Sequence, residues 1–133
     1  MDEQQSSSPA HGSDVVLRGV LPVFQTPYRD DYTIDFETLE HEIDWLYQRG
    51  VDGGVMAMVS EVLRLSSEER DRMADQVCRF NCARGIVVIS VGAETTHTAV
   101  RHARHAERCG ASAVMAIPPV ATGVGEAELV GYF

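Results

Sequence analysis

A hydroxyl and a carboxylate stand side by side at Ser60 and Glu61, closing the apolar run "GGVMAMVSE". A strand that ends on such a pair delivers it to water, where it can bind or react. Glu61 has two readings. It is a general acid or base, or it is an anchor that accepts backbone amides, the commoner use of a carboxylate beside a helix start. Ser60 is a hydroxyl donor with no histidine or aspartate that can be named as its partner, so it is not a triad nucleophile. Glu94 lies just ahead of another helical stretch and is read as favouring that helix's N-terminus.

Other clusters carry less. His97, His102 and His105 crowd one helical stretch with Arg101, Arg104 and Arg108. The His102–His105 spacing can form one edge of a metal site. No Cys, Asp or Glu is expected to complete a ligand set, and the face is expected to be solvated and basic. Cys78 and Cys82, four apart on one helix face, are read as small apolar side chains and not as ligands. With Cys109 they form an odd, sparse set that gives no disulfide framework. No metal and no cofactor are expected. All 11 residues of the Lys+Arg total are arginines. Arginine stays protonated, so residues 1–133 offer no side-chain amine for covalent catalysis.

The groups at strand ends need elements to hold them, and the sequence alternates short apolar runs with helical stretches. Strands are expected over 19–25, 53–58, 86–91 and 113–117. Their starts near Gly19, Gly53, Ile86 and Ala113 recur about every thirty residues, the size of one βα unit. The second and third runs are apolar without alternation, the pattern of parallel strands covered on both faces. Between them, Asp35 can cap a helix whose Phe36, Leu39, Ile43 and Leu46 recur at helical spacing, with Gly50 at its end. Ser66 and Glu69 form a capping box for a second helix with a Met73, Val77 and Phe80 stripe. Ala99, Ala103 and Ala106 face inwards from a third, closed by Gly110.

This alternation implies an α/β fold with a parallel sheet and right-handed crossovers. A doubly wound sheet would show a glycine-rich phosphate turn after the first strand; "QTPYRDDYTID" is not one. A (β/α)8 TIM barrel puts its chemistry at the carboxyl ends of the strands, where Ser60 and Glu61 fall. The expectation is the N-terminal half of such a barrel, about four βα units over 15–133. The polar, Ser-rich segment 1–14 is expected to be a disordered tail. "GEAELVGYF" reads as the first turns of a fourth helix, and the chain is expected to be part of something larger.

The formal charge of −9 argues against nucleic-acid or anionic membrane partners, which require clustered positive charge. The first residues show neither the basic start nor the apolar stretch of a secretory signal, so a cytoplasmic location is expected.

The blocks "GVLPVFQTPY", "TIDFETLEHEIDWLYQRGVDG", "SEVLRLSSEER", "VVISVGAETTHTAVRHARHAERCGASAVMAIPP" and "ELVGYF", in this order from Leu17 to Phe133, carry a resemblance. The chain resembles the dihydrodipicolinate synthase / N-acetylneuraminate lyase family of class I pyruvate aldolases. The resemblance implies a TIM barrel, usually tetrameric, that condenses or cleaves 2-keto acids through a lysine Schiff base. It implies a small-molecule keto acid as partner and a homo-oligomer, with the lysine on a strand beyond Phe133. The family's second strand usually ends G-T-T-G-E or G-S-T-G-E, and its hydroxyls and amides hold the pyruvate carboxylate. Here "AMVSE" aligns Glu61 with the motif glutamate and puts Met58 and Val59 near the hydroxyl pair, with Ser60 able to supply one hydroxyl. Val59, Ser60 and Glu61 are the implied substrate-binding residues. Where the family's fourth strand ends P-Y-Y, this chain has "PPVATG", with Val120 and Ala121 at the tyrosine positions. A non-catalytic half-barrel that self-associates or binds a partner is the other reading.

Overall fold

Three strands, β1 (Gly53–Met56), β2 (Ile86–Ser90) and β3 (Ala113–Met115), form a parallel sheet in the order β1-β2-β3. Each is preceded by a helix: α1 (Phe36–Gln48), α2 (Ser67–Asn81) and α3 (Thr96–Cys109); a short α4 (Glu126–Tyr132) follows β3. The computed structural model describes residues 15–121 and 123–133; the expected tail over 1–14 lies outside the described residues.

The helices begin where side chains relieve their unpaired amides. Asp35 accepts the Glu37 and Thr38 amides at the start of α1. Ser66 and Glu69 close the expected box on α2, each taking the other's backbone N–H. Thr95 accepts the Thr98 amide to begin α3. Gly110 ends α3 at φ 85°, a left-handed conformation that glycine adopts without a Cβ clash.

These helices bury their apolar stripes against one face of the sheet. Leu39 and Ile43 of α1 join Met73, Val77 and Phe80 of α2, Ala106 of α3, and Met56, Val87 and Ile89 of the strands. Phe24 is buried with them, and its ring lies so close to Gly54 that any Cβ there would collide with it. The opposite face holds a smaller cluster of Val55, Ala57 and Val88, with Leu21, Val23, Ile86 and Ala113 half-buried at its margin. One sheet thus has a large core beneath its helices and a small apolar face opposite. That is the wall of a parallel barrel seen from helix layer to interior.

All four expected strands are shorter than expected: β2 ends at Ser90 and β3 at Met115, before the expected ends at 91 and 117, and the first two change more. The stretch 19–25 lies along β1 but makes only one parallel bridge, Val23 to Val55, fixed by Phe24 N to Val55 O (3.0 Å) and Val55 N to Pro22 O (2.9 Å). Pro22 has no N–H to extend that ladder. Upstream, the Asp52 amide donates to the Val20 carbonyl at 3.0 Å, and the Asp52 carboxylate takes the Val20 amide at 2.8 Å. The second strand stops at Met56, before the expected end at 58. Met58–Ser60 wind into a single 3₁₀ turn, leaving Met58 and Val59 exposed and Ser60 buried.

Candidate functional site

The carboxyl ends of the edge stretch, β1, β2 and β3 lie along one rim, and four turns leave from it. Side chains pin each turn. After the edge stretch, the Thr26 hydroxyl donates to the Ser60 carbonyl at 2.6 Å. Within the 3₁₀ turn, the Ser60 hydroxyl donates back to the Phe24 carbonyl at 2.5 Å and accepts the Ala57 amide at 3.2 Å. Ser60 is wholly buried, so its hydroxyl serves the turn and does not face the rim.

Glu61 follows at φ 58°, left-handed and unusual for a residue with a Cβ. Its carbonyl accepts the Arg64 and Leu65 amides at 2.7 and 3.2 Å. Its carboxylate accepts the Tyr28 hydroxyl at 3.2 Å and lies 3.5 Å from the Arg64 guanidinium. Burial, and after it the Glu61 charge, raise the Tyr28 pKa above its ordinary value. Tyr28 is therefore a proton donor to Glu61 across the neutral range. Glu61 lines an open hollow of about 290 Å³ with Met58, Val59, Leu63 and Arg64. Of the three residues expected to meet substrate, Val59 and Glu61 are brought together at the rim, and Ser60 lies beneath them.

At the next turn Arg70, from α2, is buried under the end of β2. It donates from Nη2 to the Ser90 carbonyl at 3.0 Å and from Nη1 to the Gly92 carbonyl at 3.1 Å. A guanidinium fork can satisfy two carbonyls of a strand that has run out of ladder partners. Glu94 corrects its expected role: Thr95, not Glu94, caps α3. The Glu94 carboxylate reaches over to accept the Val120 and Ala121 amides at 3.0 and 3.1 Å. The loop-anchoring role open to Glu61 is filled by Glu94. The Tyr132 hydroxyl of α4 accepts the Ala93 amide at 2.9 Å.

Of the helix-layer histidines, His97 is exposed as expected, and His102 departs from the solvated face. His102 is buried, 3.2 Å from the Asp71 carboxylate, which also takes the Arg101 guanidinium at 2.6 Å. Burial, then the nearby Arg70 and Arg101 charges, lower the His102 pKa. Tyr28 and Arg70 were missed from sequence. The only signal for Tyr28 was its place in the turn after the first strand.

A parallel sheet, with helices over one face and pinned turns along the carboxyl rim, is part of a barrel of the (β/α)8 class. The dihydrodipicolinate synthetase family model matches residues 16–133, and the chain belongs to that family. It is 30% identical over 118 residues to an uncharacterized DapA-like lyase of Pyrococcus abyssi, covering 88% of this chain and 40% of that protein. It is 33% identical over 104 residues to the 4-hydroxy-tetrahydrodipicolinate synthase of Methanococcus vannielii, covering 77% of this chain and 36% of that one. Among solved structures it resembles YagE of Escherichia coli K12, a prophage protein of the dihydrodipicolinic acid synthase family in complex with pyruvate. That match has a TM-score of 0.84 at 28% identity and covers 89% of this chain and 40% of YagE. A catalytic lysine mutant of the Ruminococcus gnavus sialic acid aldolase matches at TM-score 0.80 and 27% identity, over 86% and 38%. The chain thus spans about 40% of the length of these relatives. No described helix is long and apolar enough to cross a membrane.

Proposed function

We propose that residues 15–133 form the amino-terminal part of a keto-acid lyase of the aldolase type. In that reading the rim turn Met58–Glu61 is one wall of a pyruvate-type site. The observation that carries it is Glu61, held left-handed at the exit of β1 with its carboxylate on the Tyr28 hydroxyl and its side chain lining the rim hollow. A family glutamate is expected at that position. Val59 supplies apolar contact for a keto-acid methyl group, and Ser60 shapes the turn from below. The Glu61–Tyr28 pair holds a proton at the rim, where imine chemistry would need one.

Covalent catalysis through a Schiff base requires an amine, and this sequence contains no lysine. The amine is therefore supplied by polypeptide other than residues 1–133, in an enzyme working in the cytoplasm as a homo-oligomer. The test is a titration of the isotope-labelled chain with pyruvate, followed by NMR. Shifts at Val59–Glu61 and at Gly92–Glu94, with none along α2 and α3, are expected. Shifts confined to the helix layer, or none at tens of millimolar pyruvate (a weak-binding range of roughly −2 to −3 kcal/mol), would overturn it.

A second reading has its own observation. The outer edge of β3 pairs with no strand among the described residues, and Val114 and Met115 are exposed on it, as are Val15, Val16, Leu17 and Val20 beyond β1. Open apolar edges of this kind invite pairing with another chain. A non-catalytic half-barrel that self-associates would give a discrete dimer on dilution in sizing chromatography, with no response to pyruvate.

A further inference from the structure

Helices α2 and α3 meet along a ladder of polar rungs, and the last rung is unlike the others. The first joins Asp71 to Arg101 and His102, an ordinary charge cluster. The second brings Asp75 of α2 against His105 and Cys109, which are one turn apart on α3. The His105 Nε2 lies 2.9 Å from Asp75 Oδ1, and the Cys109 thiol points at the same oxygen from 3.0 Å. One ligand atom from each of these three residues lies within 4.8 Å of the other two.

We propose that Asp75, His105 and Cys109 form a binding site for a zinc-like divalent cation on the helix layer, remote from the strand-end rim. The donor set is one carboxylate, one imidazole and one sulfur, a mixture that a borderline-soft tetrahedral ion takes with water in the fourth position. Around such an ion, ligand atoms at about 2.0–2.3 Å are separated by about 3.3–3.8 Å. Small rotamer adjustments of side chains already within 4.8 Å reach that spacing. Asp75 sits on α2 and the i, i+4 pair His105 and Cys109 on α3, so the backbone need not move.

Binding has a proton balance. The Asp75 carboxylate beside the thiol favours a dication. On binding, the Cys109 thiol proton passes to solvent, and the imidazole proton moves from Nε2 to Nδ1. Arg108, now 3.3 Å from Nδ1, can no longer donate there and turns to solvent. Affinity therefore rises with pH.

The test uses Co²⁺ as a spectroscopic probe on the whole chain under reducing conditions, with displacement by Zn²⁺. The expected result is one Co²⁺ per chain, with the intense visible bands of a tetrahedral ion and a thiolate charge-transfer band in the near ultraviolet. Cys109→Ala should abolish that band, and His105→Gln should weaken Zn²⁺ binding more than about tenfold. Cys82→Ala, at an exposed cysteine outside the cluster, should leave both unchanged. Helix content by circular dichroism shows that each variant is folded. Absence of a thiolate band at stoichiometric Co²⁺, or its persistence in folded Cys109→Ala, would overturn the proposal.

Discussion

The Ser60 hydroxyl is bonded to the Phe24 carbonyl and the Ala57 amide in the same turn, so a residue expected at the rim is a staple between β1 and its neighbour. Ser60→Ala leaves a buried carbonyl and a buried amide without partners. It should lower folding stability by about 1–3 kcal/mol, read as a reduced urea midpoint with an unchanged slope. A role in direct substrate contact would instead leave the midpoint unmoved.

Arg70 is to β2 what Ser60 is to β1. Its fork covers the Ser90 and Gly92 carbonyls, and Arg70→Met should cost about 2–4 kcal/mol by leaving both unpaired in a buried site. Arg70→Lys should not restore the loss, because an ammonium cannot span two carbonyls as a planar fork does. Denaturant unfolding of the two variants checks both statements.

Much of this framework was readable from sequence because it is local. Asp35, the Ser66–Glu69 box and Gly110 work within one turn, and the stripes of α1 and α2 follow helical period. What escaped depends on partners distant in the chain. His102 looked solvated because Asp71, which meets it, is 31 residues away on α2. Glu94 looked like a helix-start charge because the amides it accepts belong to a loop 26 residues on. The first strand was overread for a different reason: Pro22 fits an apolar run but removes a ladder donor. The 3₁₀ turn at Met58–Ser60 was hidden because continuous hydrophobicity does not mark where a strand stops.

The buried imidazole gives a pH dependence with a definite sign. The folded-state pKa of His102 is lowered, mainly by burial, so folding favours the neutral ring. Its contribution is complete above the unfolded value of about 6.5 and declines as pH falls below it, until the folded form is protonated as well. Between pH 7.5 and 5.5 the urea midpoint of the natural chain should fall further than that of His102→Gln, which has no charge to gain. Equal falls would place the titrating group elsewhere.

Tyr28 reports on the rim itself. Its ionisation should lie above the ordinary tyrosine value, and Glu61→Gln should bring it down by removing a negative charge and a charged acceptor. Ring carbon NMR shifts followed through alkaline pH resolve Tyr28 from the other three tyrosines. An unaltered midpoint in Glu61→Gln would mean that the two side chains are not paired in solution.

The most direct test joins residues 1–133 to the remaining strands of a family barrel, then reduces the closed protein with borohydride in the presence of pyruvate and maps the adduct by mass spectrometry. The account expects a pyruvate adduct on one lysine of the added segment, none within 15–133, and slower labelling in Glu61→Gln. An adduct on a side chain within 15–133, or a closed barrel that no keto acid labels, would contradict it.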